Sequence, residues 1–186
     1  DEDGKLFSDN DERAIFFAKG VIETVKKLNW APDIIHVHGW LASLFPLYLR
    51  QYYREEPLFE NSKIVTSVYN TGFDGALDNS MVDKVKFDGI EGPALEDLHE
   101  ADYNSIMKVA IDHSDAAIIG SEEIPQELED YLKKWGCYFY KSFKLSAYLK
   151  TGINYLKVIF KMFFILYKGV VKLFLAKVRD GIEPSY

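Results

Sequence analysis

One cysteine, Cys137, stands in a chain of 186 residues, so no intrachain disulfide can form. No Gly-Gly pair occurs anywhere, and neither G-x-G-x-x-G nor G-x-x-x-x-G-K-[ST] is present. The usual glycine-rich phosphate cradles are therefore lacking. A G-x-S-x-G nucleophile elbow is absent as well, because Ile119 to Glu123 reads "IGSEE" without the second glycine. Cys137 has no histidine near it in sequence, which argues against a thiol nucleophile. No repeat, Ser-rich linker or low-complexity block interrupts the acidic part of the chain. The sequence opens on "DEDGKL" with neither an initiator methionine nor an apolar leader. Together with the cysteine usage, this leads to the expectation of a cytoplasmic protein and of an internal stretch of a longer one.

The most uneven absence is of acid. From Tyr138 to Arg179 there is no Asp or Glu. Residues 1–137 hold 27 acidic against 13 basic side chains, a net of −14, whereas residues 138–186 hold 2 against 9, a net of +7. Two kinds of sequence are joined near Cys137, and the expected organisation is a folded part over 1–137 followed by a basic tail over 138–186. With 48% hydrophobic and 15% aromatic residues, the chain can bury the core of one domain.

Periodicity gives the acidic part an alternating order. Ala14, Ala18, Val21, Val25 and Leu28 recur at helical steps after the cap candidates Asp9 and Asp11, and Asn29 and Pro32 end that helix. Asp33 to Val37 reads as a strand with an Ile-Ile centre apolar on both faces, as in a buried parallel sheet. Trp40 to Tyr53 returns to helical spacing, with Pro46 tolerable only in a first turn or at a kink. "KIVTSVYN", Lys63 to Asn70, is a second strand, and a Gly/Asp-rich loop follows. A helix then places Ile106, Ala110 and His113 on one face. "AAIIGS", Ala116 to Ser121, is a third strand, and Glu123 to Lys134 a final helix with Leu128 and Leu132 inward. Such alternation predicts an α/β fold, a doubly wound parallel sheet with right-handed crossovers.

Open parallel sheets bind ligands beyond the carboxyl ends of their strands. His38, Asn70 and Ser121 each fall just past a predicted strand and are expected to share one edge. His36, earlier in its strand, is expected to be a core histidine satisfied by backbone. An H-x-H pair sends both rings to one face and could hold a divalent metal, but other strand ends would have to supply further ligands. Only His99 and His113 remain, the latter on a packed helix face, and no metal is expected. Glu122 and Glu123, at a helix start, are expected to serve the helix dipole.

Three stretches, "DERAIFFAKGVIETVKKLNWAPDIIHVHGWLASLFPLYLRQYY", "SKIVTSVYN" and "SIMKVAIDHSDAAIIGSEEIPQELEDYLKK", resemble the glycogen and starch synthases that use ADP-glucose. The resemblance covers roughly Asn10 to Lys134. It implies a partial Rossmann-like first domain of a GT-B glycosyltransferase over residues 1–137, a parallel sheet with flanking helices. The implied reaction adds glucose to the non-reducing end of an α-1,4-glucan with retention of configuration. ADP-glucose would be the donor substrate and the glucan the acceptor, with no cofactor and no nucleic acid partner. On the same resemblance, His38 is the catalytic histidine and also faces the donor glucose. Trp40 supports that turn, and Tyr69, Asn70 and Ser121 join the substrate-binding side of the cleft.

Departures accompany the likeness. Many members read H-D-W-H where this chain reads His38-Gly39-Trp40-Leu41. The family's K-x-G-G-L loop is not found, and no glutamate has another eight positions later. The polypeptide alone is therefore expected to be inactive.

In the tail, Lys150, Lys157, Lys161, Lys168 and Lys172 follow helical steps opposite Ile153, Phe160, Phe164, Val171 and Leu175. The lysines argue against a spanning helix, which needs about 20 mostly apolar residues. Two accounts are open: residues 138–178 lie on an anionic membrane surface, or the tail is the product of a frameshift or truncated gene fused to unrelated sequence. The second accounts together for the change in composition and the break in family likeness. A non-catalytic glucan-binding or membrane-surface module is the alternative function.

Overall fold

The computed structural model describes residues 6–135 and 138–141. Helix α1, Asn10–Lys27, opens the fold. Its buried stripe is Ala14, Ala18 and Ile22. Val21, read from the sequence as part of that stripe, is 36% exposed and Leu28 is 56% exposed. Steps of four from Ala14 lead to Ile22, and this continuation makes the contact. Asp9 occupies the cap position without a side-chain cap bond and instead accepts from Arg13 Nε at 2.9 Å. Asp11 is fully buried and pairs with Lys84 Nζ at 2.6 Å, which ties α1 to a later helix.

Strand β1, Ile34–His38, leads into a 3-10 turn, Trp40–Ala42, then α2, Leu44–Leu47, and a π turn, Tyr48–Tyr52. Pro46 thus sits in a first turn, where its missing N–H costs nothing. Strand β2 is Lys63–Val68. The segment read as a loop after it carries two short helices, α3 over Met81–Phe87 and α4 over Ala94–Leu98. They bury Met81, Val85, Leu95 and Leu98. Helices of seven and five residues are too short to show the periodicity that a window of about 11 to 18 residues detects.

Helix α5, Tyr103–Asp112, is capped by Asp102, whose carboxylate accepts from Ser105 N at 2.7 Å. Strand β3, Ala116–Ile119, and helix α6, Gln126–Lys134, follow. Helix α6 starts late because Pro125 occupies its cap position with ψ at 130°, outside the helical range, and a proline disfavours helical backbone in the residue before it. Leu128 and Leu132 are fully buried, as their spacing predicts.

The sheet is parallel throughout with order β1-β2-β3-β4. Its fourth strand, β4, Tyr138–Lys141, pairs with β3. The sequence reading stopped at three strands, because the change of charge at Cys137 masked a short aromatic run with high strand propensity. The rest of the basic segment, including its lysine stripe, lies outside the described residues. Among the described residues, no helix is long and apolar enough to cross a membrane.

Side chains alternate along a strand. Ile35, Val37, Ile64, Val68, Ala117 and Ile119, the strand residues packed with helices in the two apolar clusters, all fall on one face in this register. Ile34, Val65, Ala116 and Ile118 on the opposite face enter neither cluster and are half-buried. Helix packing on both faces, as a doubly wound sheet requires, is therefore not seen among the described residues. His36 and His38 share this second face, on β1 at one edge of the sheet.

The packing separates two neighbours on α1. Ile22→Ala is expected to cost about 2–5 kcal/mol, and Val21→Ala no more than about 0.5 kcal/mol. Urea unfolding followed by circular dichroism measures both, and equal losses would contradict the stripe described here.

Candidate functional site

The parallel register sets His38 level with Ser67, and Val68 level with Ile119. The residues that follow these strand ends converge on one rim. Gly39 turns the chain immediately after His38 with φ at +74°, a left-handed conformation that a side chain would strain. The turn frees His38, which is exposed and shares a 2.8 Å hydrogen bond between Nδ1 and the Tyr69 hydroxyl. The two rings stack with centroids 5.9 Å apart. Beside them the Ser121 hydroxyl accepts from Asn70 N at 2.9 Å, which joins the loops after β2 and β3.

Beneath the rim runs a set of aromatic contacts. Trp40 meets Phe73 edge-on at 5.1 Å, and Phe73 meets Tyr103 edge-on at 6.1 Å. The Tyr103 hydroxyl donates to the Tyr69 carbonyl at 2.6 Å. Trp40 therefore supports the rim through its neighbours. Gly120 permits the closest approach: a Cβ built there would lie 2.3 Å from Tyr69 Cε1. No sequence motif singled out Gly120, Phe73 or Tyr103, because each acts through a partner distant in sequence.

His36 lies within the strand, half-buried, with Nε2 at 2.8 Å from Ser67 Oγ. A serine side chain, not the backbone expected from the sequence, satisfies it. Its centroid is 3.9 Å from that of His38, so the two imidazoles do share a face. Burial first, and the neighbouring His38 second, pull the His36 pKa from 6.5 down to about 4. His113 bonds Val109 O and Gln51 Nε2, and His99 is exposed at the end of α4. Among the described residues, no three His, Cys, Asp or Glu side chains are grouped to hold a metal ion.

A cavity of about 470 Å³ opens beside the rim, lined by Asn70, Phe73, Asp74, Asp102, Tyr103 and Asn104 among others. Its amides, carboxylates and rings suit a polyhydroxylated ligand, which needs hydrogen-bond partners around an apolar ring face. A larger groove of about 940 Å³ lies elsewhere, between α1, the π turn and α3, and none of the predicted site residues lines it.

A family model described as the starch synthase catalytic domain matches residues 1–138. The chain belongs to this family. The glycogen synthase of Chlorobium luteolum is 34% identical over 113 residues, 60% of this chain and 22% of that protein. That of Clostridium perfringens is 32% identical over 124 residues, 65% of this chain and 25% of that protein. That of Thermotoga maritima is 39% identical over 77 residues, 41% of this chain and 16% of that protein. This starch synthase family chain thus spans about a quarter of the length of the first two relatives. No solved structure matches it.

The half-buried imidazole of His36 gives this chain an expected pH response. Native His36 resists protonation that the unfolded chain accepts, so this group costs no stability above about pH 6.5 and lowers it progressively as pH falls towards about 4. Below that range the group adds no further loss. Urea midpoints across this range should show the fall, and His36→Gln should flatten it while other acid-sensitive groups persist.

Proposed function

We propose that this chain forms one wall of the active cleft of a GT-B glycosyltransferase that moves glucose from ADP-glucose to the non-reducing end of an α-1,4-glucan. The observation that carries the reading is the meeting of His38, Tyr69, Asn70 and Ser121 at the carboxyl rim of a parallel sheet, in a member of the starch synthase family. Ligands of such sheets bind beyond this edge. His38 is the catalytic and substrate-binding residue in this reading and faces the donor glucose. Trp40, Tyr69, Asn70 and Ser121 shape the substrate side, with ADP-glucose a substrate and no separate cofactor. Residues 1–137 form most of the partial Rossmann-like domain, whose sheet also takes in β4, and a cytoplasmic location accords with this role.

The diphosphate of the leaving nucleotide requires a cationic clamp, and among the described residues the rim offers none: its polar groups there are an imidazole, a phenol, an amide and a hydroxyl. Loss of one preorganised donor costs about 10²- to 10³-fold in rate. The 186-residue polypeptide by itself is therefore inactive in transfer. Its acceptor-side cavity would still recognise glucan, through Asn70 and Asp74 against the rings of Phe73 and Tyr103.

Calorimetry with maltooligosaccharide tests the binding part. Weak, saturable binding lost on Asn70→Ala is expected, together with no glucan elongation from ADP-glucose. Elongation by the purified chain would refute the inactivity. No glucan binding, with binding to anionic vesicles in its place, would favour a membrane-surface module through residues 138–178.

A further inference from the structure

Tyr69 is held at three points. Its hydroxyl lies 2.8 Å from His38 Nδ1, its carbonyl accepts the Tyr103 hydroxyl at 2.6 Å, and its ring rests against the α-carbon of Gly120. A phenol gripped in this way cannot turn towards a ligand without losing its bond to the imidazole. The bond also has a preferred direction. A phenolic O–H is a better donor than acceptor, and an unprotonated imidazole nitrogen is a good acceptor, so the hydroxyl donates to Nδ1. In a neutral ring the proton then resides on Nε2, since the partner of one nitrogen sets the state of the other.

We propose that Tyr69 is a positioning residue which holds His38 as the Nε2–H tautomer, with Gly120 supplying the space for its ring and Tyr103 anchoring its backbone. His38 then presents a hydrogen-bond donor at the rim, suited to an oxygen of a sugar or phosphate. In this tautomer Nε2 has no lone pair with which to take a proton from a hydroxyl. Tyr69 is thereby moved from the substrate contacts to the support of His38. The inference rests on the reading of His38 as the site residue, and it adds the chemical form in which that residue meets its ligand.

His36 does not compete for this arrangement. It shares the face with its ring 3.9 Å from that of His38, but its Nε2 is occupied by Ser67 Oγ. The grip depends on residue 120 having no side chain. A Cβ there would also come within 2.8 Å of Tyr69 Cδ1 and 2.9 Å of Cζ, so the whole ring edge would have to move. Such a movement carries the hydroxyl away from Nδ1, although every hydrogen-bonding group is retained.

Long-range nitrogen–proton correlation spectra of the full chain, labelled with ¹⁵N-histidine and held at mildly alkaline pH, read the tautomer of His38 directly. His38→Gln assigns the signals. The wild type is expected to show a protonated Nε2 and an unprotonated Nδ1. Tyr69→Phe keeps the ring and removes the hydroxyl, and should reduce the tautomer preference about three- to tenfold, the range of one net hydrogen bond. Gly120→Ala retains the hydroxyl but displaces the ring, and should cause a similar loss. A circular dichroism melt of each variant separates this effect from unfolding.

A wild-type His38 protonated on Nδ1 overturns the proposal, and so does an unchanged preference in folded Tyr69→Phe. If Gly120→Ala does not fold, the wild-type spectrum and Tyr69→Phe still decide. Titration with maltooligosaccharide and with ADP-glucose keeps the two readings apart. A fixed Nε2–H tautomer in a chain that binds neither ligand retains this inference and removes the proposed function, whereas binding without the tautomer does the reverse.

Discussion

Because Ile34 to His38 pairs in parallel with Lys63 to Ser67, and Val65 to Val68 with Ala116 to Ile119, the ends of three strands stop at nearly one level. This register makes a rim out of residues far apart in sequence. A shift of one residue between two strands would turn every side chain of one of them to the other face. His38 would then leave Tyr69, and its ring would point into the helix layer. At the opposite end of the sheet, Asp115 pins the same register. Its carboxylate accepts from Ile64 N at 2.8 Å and pairs with Arg50 at 2.6 Å and Lys63 at 3.3 Å. Burial pushes that carboxyl up, but the Ile64 N–H and the two cations outweigh it and hold it below the usual carboxylate range.

The helix layer has its own polar ties. Tyr48 donates to Asp88 at 2.7 Å while Lys19 pairs with the same carboxylate at 2.6 Å, which joins the π turn, α1 and the end of α3. Asp11 and Lys84 make a second link between α1 and α3. The carboxylate of Asp11 is fully buried and that of Asp88 nearly so, while the lysines reach solvent, so removing either lysine leaves a carboxylate without its ion-pair partner in the core. The pairs orient α3, whose apolar side chains Met81, Val82 and Val85 complete the packing. The segment after β2 is thereby fastened at both ends, and Phe73 within it is held between Trp40 and Tyr103 under the rim.

Much of this was legible from spacing. The alternation of β-branched runs and amphipathic stretches foretold β1, β2 and β3 and the helices α1, α5 and α6 to within a few residues. The rule that ligands gather at the carboxyl ends of parallel strands pointed to His38, Asn70 and Ser121, and the fold brings their chain segments together. What escaped was local and short. α3 and α4 span too few turns to show a period, and β4 lay behind an abrupt change of charge. Val21 and Ile22 are adjacent and both apolar, and only the packing of other elements against α1 decides which of them is buried.

The sequence by itself determined β1 to β3, the helices α1, α5 and α6, and which polar residues follow those strand ends, because those properties depend on neighbours within a few positions. Tertiary structure alone decided that Tyr69 rests against Gly120 and bonds His38, that Ser67 and not the backbone satisfies His36, and that the packed strand residues share one face. Each of these rests on distances between segments more than thirty residues apart, or on the register between strands. Local propensity carries no information about such separations, and only the closing of the sheet sets them.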